Sequence, residues 1–383
     1  MTLRSPSSIP FASWFRKFTF PFSPTALLLI ATAAALVWAN AFGIRSYRSV
    51  WEFHRAWLAG TPKEWVNDGL MALFFLLIGI EIKRELTVGA LNTSRHALLP
   101  AAAALGGMAV PAGIYLALNW SGQGRAGWGI PMATDIAFAL GILGALGSYA
   151  SASGRIFLTA LAVVDDIGAM LVIAIFYSVG VSIPLLIAMA AVAIAMQVMS
   201  RSGKFGPFPV LLVGVVLWAC ALKSGIHPTL AGLAVGLLLP AQAGSDDLER
   251  LEHMVEPFVS RVIVPLFALA NAGIVVTGGW SILTNRIALG VFLGLVLGKP
   301  IGIMSATLVT RFVTKNTGGE LGSSRGLVGF TVLGGVGFTM SLFIAELAFD
   351  ASERADAAKL GILAASTVAA ISGFVLLRRA PAV

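Results

Sequence analysis

Gly129-Ile130-Pro131-Met132-Ala133-Thr134-Asp135 lies inside an apolar stretch of about 128–149, and no uninterrupted helix accommodates it. Proline removes a backbone donor and crowds the preceding turn. A carboxylate in the middle of an apolar span is costly and marks a functional position. A second stretch of the same kind comes far downstream, where Gly334-Gly335-Val336-Gly337 precedes Phe338-Thr339-Met340-Ser341 inside 326–349. Each is the middle member of a triplet of apolar stretches, the third to fifth and the tenth to twelfth. Interrupted helices at matching places in two halves predict an inverted-topology repeat with a binding site near the membrane midplane.

The composition supports the same class. Only 11% of the 383 residues are charged, where a soluble domain carries about 25%. Hydrophobic residues make up 57% and the mean hydropathy is +0.89. Apolar stretches fall at about 24–43, 65–81, 97–119, 128–149, 156–179, 182–200, 207–222, 225–242, 258–280, 287–310, 326–349 and 358–377. A span takes about 20 apolar residues, so the sequence predicts an all-α polytopic membrane protein of twelve transmembrane helices in one integral membrane domain, 1–383. Ala39-Asn40-Ala41 looks like a cleavage site, but eleven spans follow, and an uncleaved first helix is the better reading. Phe11–Phe20, mixing aromatics with Arg16 and Lys17, reads as an interfacial segment. The single Cys220 excludes an internal disulfide and a cysteine-ligated metal. A net charge of +8 could suggest nucleic acid, but no Lys/Arg run exceeds two residues, and basic loops facing an anionic leaflet explain it. With both termini inside, fifteen basic residues fall on the cytoplasmic side and nine outside, the bias that the positive-inside rule requires.

Within the spans, Asp135, Asp165, Asp166 and Lys299 stand out, together costing on the order of 10 kcal/mol at membrane depth. A pure ion-pair cluster would balance its charges. Three carboxylates against one ammonium instead leave a site that is protonated or holds a cation. Adjacent aspartates on a helix point about 100° apart, so one can face Lys299 and the other a cavity. Carboxylate and hydroxyl oxygens suit a small hard cation. Desolvation and a neighbouring ammonium pull a carboxylate pKa in opposite directions, so cation and proton can compete there. If the two breaks cross, like helix ends face one another. Asp135 could then neutralise paired N-termini, and Lys299 paired C-termini.

At these residues the chain resembles the bacterial NhaA family of sodium/proton antiporters. The resemblance runs from about residue 24 to 378. It rests on Gly79-Ile80-Glu81-Ile82-Lys83-Arg84-Glu85-Leu86, Ala133-Thr134-Asp135-Ile136-Ala137-Phe138-Ala139-Leu140, Val164-Asp165-Asp166-Ile167-Gly168-Ala169, Lys223-Ser224-Gly225-Ile226-His227, Phe267-Ala268-Leu269-Ala270-Asn271-Ala272-Gly273, Gly298-Lys299-Pro300 and Gly337-Phe338-Thr339-Met340-Ser341. Inverted repeats with broken helices are a feature of that family, so the repeat reading and the resemblance are one argument rather than two.

The resemblance implies twelve helices with two crossed discontinuous ones, the fourth and the eleventh. It implies core repeats at 97–180 and 287–380, and interface or dimerisation helices at 24–90 and 225–282. Function would be electrogenic, pH-regulated exchange of cytoplasmic Na+ or Li+ for external H+, without a cofactor, in the bacterial inner membrane with both termini cytoplasmic. Asp166, Asp165 and Thr134 would hold the ion. Asp135 and Lys299 would compensate the half-helices, with Lys299 paired to Asp165 when protons are bound. Glu81, Arg84, Glu85, Glu252 and His253 would form the pH-responsive cluster, in which Glu256 stands where a second histidine is common. A homodimer would form through a β-hairpin within Arg45–Trp57. Na+, Li+, H+ and membrane lipid are the expected partners, and nucleic acid is not.

Other residues read as structural: Asp68 at a helix start, His227 at the head of a span, His54 and His96 in loops, Glu346 and Asp350 at a water interface. Arg261 finds no assigned partner. An intramembrane aspartyl protease needs its two aspartates on facing helices, which neighbours on one helix cannot supply. A membrane phosphotransferase needs basic residues beside its aspartates for the phosphate, and none adjoin Asp165-Asp166. A passive cation channel, or another cation-coupled transporter, is the remaining alternative, and Lys299 beside the site would obstruct a channel.

Overall fold

The computed structural model describes residues 21–54, 60–89, 91–178, 180–201, 207–239, 247–276, 284–314, 324–349 and 353–380. The expected interfacial segment 11–20 and Asp350 lie outside them. In chain order the α-helices are α1 Pro24–Ala41, α2 Ile44–Trp51, α3 Met71–Thr87, α4 Ser94–Asn119, α5 Ile136–Leu146, α6 Ala152–Phe176, α7 Ile183–Arg201 and α8 Pro207–Ser224. They continue as α9 Thr229–Leu238, α10 Asp247–Phe258, α11 Val264–Asn271, α12 Arg286–Leu293, α13 Lys299–Thr314, α14 Ser324–Leu333, α15 Phe338–Ala348 and α16 Glu353–Arg378. No strand occurs among the described residues. Nine helical stretches there are long and apolar enough to cross a membrane, and Ile183–Val198, Val210–Ser224 and Thr229–Leu238 are apolar but shorter. This is a multi-pass membrane protein.

Local chemistry explains the helix starts. Thr61-Pro62-Lys63-Glu64 makes a capping box: Glu64 N donates to Thr61 Oγ1 at 3.1 Å and Thr61 N to Glu64 Oε2 at 2.8 Å. Asn285 accepts from Ile287 N and Ala288 N to begin α12. Three spans contain a π-helical turn, at Trp65–Leu70, Val259–Ile263 and Gly294–Gly298. Hydropathy carries no mark of them, because one extra backbone residue leaves an apolar run apolar.

Two compact units are distinguishable, one of 1–89 and 173–273, the other of 90–172 and 274–383. In the first, Ile80, Met196, Leu217, Ala221, Ala231, Val235 and Leu239 form an apolar cluster. Here α3 and α9 touch backbone to backbone: a Cβ on Gly232 would stand 1.9 Å from Ala72 O, and one on Gly79 2.6 Å from Leu233 O. Polar ties join the same unit, with Asn67 and Asn271 exchanging amide hydrogen bonds of 2.7 and 3.3 Å. Trp218 Nε1 donates to Asp68 O at 2.8 Å. His227 Nε2 lies 3.4 Å from Asp68 Oδ1, and its Nδ1 lies 2.7 Å from Thr229 Oγ1. In the second unit, α4 and α13 meet at Gly106 and Gly302, where a Cβ on Gly302 would reach 2.1 Å from Gly106 O.

Four expectations need correction. The hairpin within 45–57 is not formed in the described residues, because Ile44–Trp51 is helix α2. Tyr47 and Trp51, one helical turn apart, are buried together while Arg45, Ser46, Ser49 and Val50 face outward, a helical period rather than a strand's alternation. Tyr47 anchors that face, its hydroxyl donating to Leu269 O at 2.7 Å and accepting from Gly273 N at 3.3 Å. Second, the ninth span is Leu251–Asn271 rather than 258–280, since the charged run from Asp247 continues the same helix. Third, His96 lies on α4, not in a loop. Fourth, Glu346 is not a solvated end: its carboxylate meets Lys359 Nζ at 2.5 Å, both side chains largely buried.

Because Gly232 meets backbone atoms that cannot rotate away, Gly232→Val must part α3 from α9 at a cost of about 1–3 kcal/mol or more. The apparent melting temperature of the detergent-solubilised variant should fall clearly below wild type. Gly214→Ala, whose added Cβ meets only Val235 Cγ2 at 3.7 Å, should leave it unchanged. Equal melting of all three proteins would contradict the packing described.

Candidate ion-binding site

The site forms where two spans lose their helical backbone inside the second unit. Gln123–Met132 is a 3-10 helix that ends at Met132; Ala133–Asp135 are non-helical, and α5 begins at Ile136. Likewise α14 ends at Leu333, and Gly334–Gly337 lead to α15 at Phe338. A helix end leaves backbone donors or acceptors without partners, and no water replaces them at membrane depth. Here the two breaks satisfy each other. Asp135 N donates to Val336 O at 2.7 Å, and Thr134 Oγ1 donates to Gly334 O at 2.9 Å.

Asp135 serves two helix N-termini at once. Its Oδ1 accepts from Phe138 N of α5 at 2.9 Å, and its Oδ2 accepts from Thr339 N of α15 at 3.0 Å. The Thr339 hydroxyl donates to the same Oδ2. An N-terminus carries partial positive charge and an aspartate is a preferred cap, so one buried carboxylate answers both ends. Ser341 Oγ then donates to Ile130 O at 2.8 Å, and Ser366 Oγ accepts from Phe338 N at 3.1 Å.

Lys299 performs the converse task. It starts α13 directly after the π-helical turn Gly294–Gly298, and its Nζ donates to Asp165 Oδ2 at 2.6 Å. The same Nζ donates to Met132 O, the carbonyl end of the 3-10 helix. Lys299 and Thr134 are fully buried, and Asp135, Asp165 and Asp166 nearly so. Asp165 Oδ1 has no hydrogen-bond partner among the described residues. Asp166 follows on the same helix, at the turn where Gly168 admits the Met108 sulfur. A carboxylate whose counter-ion is an ammonium can exchange it for another monovalent cation, and a second carboxylate beside it strengthens the field that draws such a cation in.

The residues singled out for regulation lie in the other unit and divide into two groups. Arg84 Nε meets Glu252 Oε2 at 3.3 Å, with Glu85 Oε1 3.9 Å from Arg84 Nη2. Glu81 lies one turn earlier on the same helix. His253 turns outward instead, its Nε2 3.6 Å from Glu249 Oε1 and its side chain 72% exposed, and Glu256 is exposed as well. Sequence reasoning did not single out Glu249, and an i, i+4 acid–histidine spacing was the signal for it. Nor did it give roles to Thr339 and Ser341, although both stand in a motif it quoted. Arg261 falls in the Val259–Ile263 π-helical turn.

Comparison with known proteins identifies the family. A family model described as Na+/H+ antiporter 1 matches residues 19–377. Proteins named Na(+)/H(+) antiporter NhaA are similar over nearly the full length. That of Granulibacter bethesdensis is 46% identical, covering 93% of this chain and 96% of its own. The one from Rhodospirillum rubrum is 45% identical (92% and 93%), and the one from Oleidesulfovibrio alaskensis 41% (95% and 93%). On the family match across almost the whole sequence, the chain belongs to the Na+/H+ antiporter 1 family.

Proposed function

We propose that this protein is a secondary antiporter that exchanges Na+ or Li+ from the cytoplasm for external H+. The observation that carries the reading is the buried Lys299–Asp165 pair with Asp166 next along the helix. Lys299 Nζ pairs with Asp165 Oδ2, Asp166 is the next residue on the same helix, and a sodium ion entering from the cytoplasm would take the place of the ammonium. In this reading Asp165, Asp166 and the Thr134 hydroxyl oxygen hold the ion as Lys299 is released from Asp165. Proton return to Asp166 expels the ion, and Lys299, as an ammonium, re-forms its pair with the ionised Asp165. Names of the relatives support Na+ and H+ as the exchanged ions; Li+ follows from the same oxygen chemistry.

The nine long apolar helices and three shorter ones support twelve spans, with the broken fourth and eleventh crossing. Core repeats would lie at 97–180 and 287–380, and 24–90 with 225–282 would be interface helices. Asp135 and Lys299 would compensate the ends of the crossed half-helices. Cytoplasmic termini follow from the charge count, and the inner membrane from the family resemblance. A homodimer belongs to the proposal too, but its contact is not a hairpin over 45–54, which is helical through Trp51. Regulation by pH would run through Glu81, Arg84, Glu85 and Glu252, with His253 and Glu256 at the edge.

Vesicle assays of proton movement on adding sodium test the core of this. Asp166→Asn should insert normally yet move no protons in response to sodium, because the carboxamide neither holds the cation nor carries the proton. Full exchange by this variant would overturn the assignment. More than one proton returned per monovalent cation, one of them on Asp166, makes the exchange electrogenic, so an imposed membrane potential should change the rate. A rate indifferent to potential would mean one proton per cation. Sodium flux without proton movement would indicate the channel.

For regulation, Glu256→His replaces an acid on the Glu252 face with a group that is positive at low pH. The pH at half-maximal exchange, followed from about pH 6 to about pH 9, should shift while the maximal rate changes little. Superimposable profiles would make the exposed part of the cluster a solvated helix end.

A further inference from the structure

Arg155, at the start of α6, is placed to set the geometry of the ion site from the opposite end of two helices. Its Nη2 donates to Leu143 O at 2.8 Å and to Gly147 O at 2.5 Å, and its Nε to Ala150 O at 3.4 Å. Leu143 is among the last four residues of α5, whose carbonyls have no helical partner. Gly147 follows with φ +56°, a backbone turn that L residues rarely adopt. A cation at a helix C-terminus is favourable, and only a guanidinium offers donors in the fork that spans several carbonyls. The corner is seated as well as tied. Ser151 Oγ accepts from Gly154 N at 3.2 Å, and the absent Cβ of Gly154 leaves room for the Phe330 ring of α14, which it would meet at 2.0 Å. Leu143, Leu146, Ala150, Leu158, Phe330 and Leu333 pack around it.

Two arms leave this corner for the site. The eleven residues of α5 rise about 16 Å back to Asp135, and the ten steps from Arg155 to Asp165 rise about 15 Å along α6. At their far ends Lys299 Nζ bridges Asp165 and Met132 O. We propose that Arg155 is a positioning residue for ion binding: it locks the α5–α6 corner so that Thr134 and Asp135 keep their place relative to Asp165 and Asp166 when the Lys299 bridge opens. This rests on the exchange reading above. While the bridge is closed, both ends of the frame hold. Once a cation displaces Lys299, the Arg155 end alone among these ties keeps the arms in register. Loosening it should therefore weaken cation binding more than it slows turnover at saturation.

Sodium-dependent proton movement, measured against sodium concentration in vesicles containing wild type, Arg155→Gln and Arg155→Lys, tests this. Arg155→Gln should raise the sodium concentration for half-maximal exchange about tenfold, the effect of losing one charge-assisted hydrogen bond. Its rate at saturating sodium should stay within about twofold of wild type. Arg155→Lys keeps the charge but not the fork and should fall between the two. A merely structural role would lower the amount of folded protein and scale the rate at every sodium concentration alike. An unchanged half-maximal concentration in both variants overturns the proposal. Should Arg155→Gln fail to insert, the lysine variant alone decides on the same criterion. Wild type without sodium-dependent exchange would instead overturn the functional reading, a separate outcome.

Discussion

Interrupting a helix at membrane depth leaves backbone donors and acceptors facing one another with no water to satisfy them, and the second unit is organised around meeting that demand. A single carboxylate, Asp135, takes the N-termini of α5 and α15. Lys299 takes the carbonyl end at Met132, and Thr134 takes the one at Gly334. Each unsatisfied group would cost several kcal/mol in hydrocarbon, so these contacts set the relative placement of the two breaks. Their functional consequence is economical: the ammonium that answers a helix end is also the counter-ion of Asp165. In the proposed exchange, replacing that counter-ion would also release the carbonyl end at Met132.

How much of this was legible in the sequence depends on what each feature does to residue types. Proline, glycine and charge inside an apolar run are visible, so both breaks and the charges Asp135, Asp165, Asp166 and Lys299 could be read directly. The Asp135–Thr339 contact was not readable, because it joins residues far apart in the chain and a threonine in an apolar helix has no distinguishing mark. The π-helical turns were hidden for the reason given by their composition: an extra apolar residue leaves hydropathy unchanged. Arg155 counted only as a positive-inside residue, since nothing in a sequence distinguishes a solvated arginine from one that caps three carbonyls.

Two of the four corrections share a cause. The resemblance implies a hairpin within Arg45–Trp57, where aromatic residues also suit a strand, yet Tyr47 and Trp51 find a common buried face as a helix. Tertiary contact at Leu269 and Gly273 overrides propensity there. Glu346 is expected at a water interface, whereas Lys359 on α16 lies within reach and pairs with it, both side chains largely buried. In both cases a partner distant in sequence decided the outcome.

Central to the account is that a sodium ion and protons compete for the Asp165–Asp166 carboxylates while Lys299 gives way. Proton release on binding measures this without transport. Purified protein in a weakly buffered detergent solution, with a pH-indicator dye, would receive sodium chloride or, as control, choline chloride. The account predicts that sodium releases protons, that choline does not, and that Asp165→Asn reduces the release. Sodium binding detected calorimetrically in the same preparation, with no proton released, would contradict it.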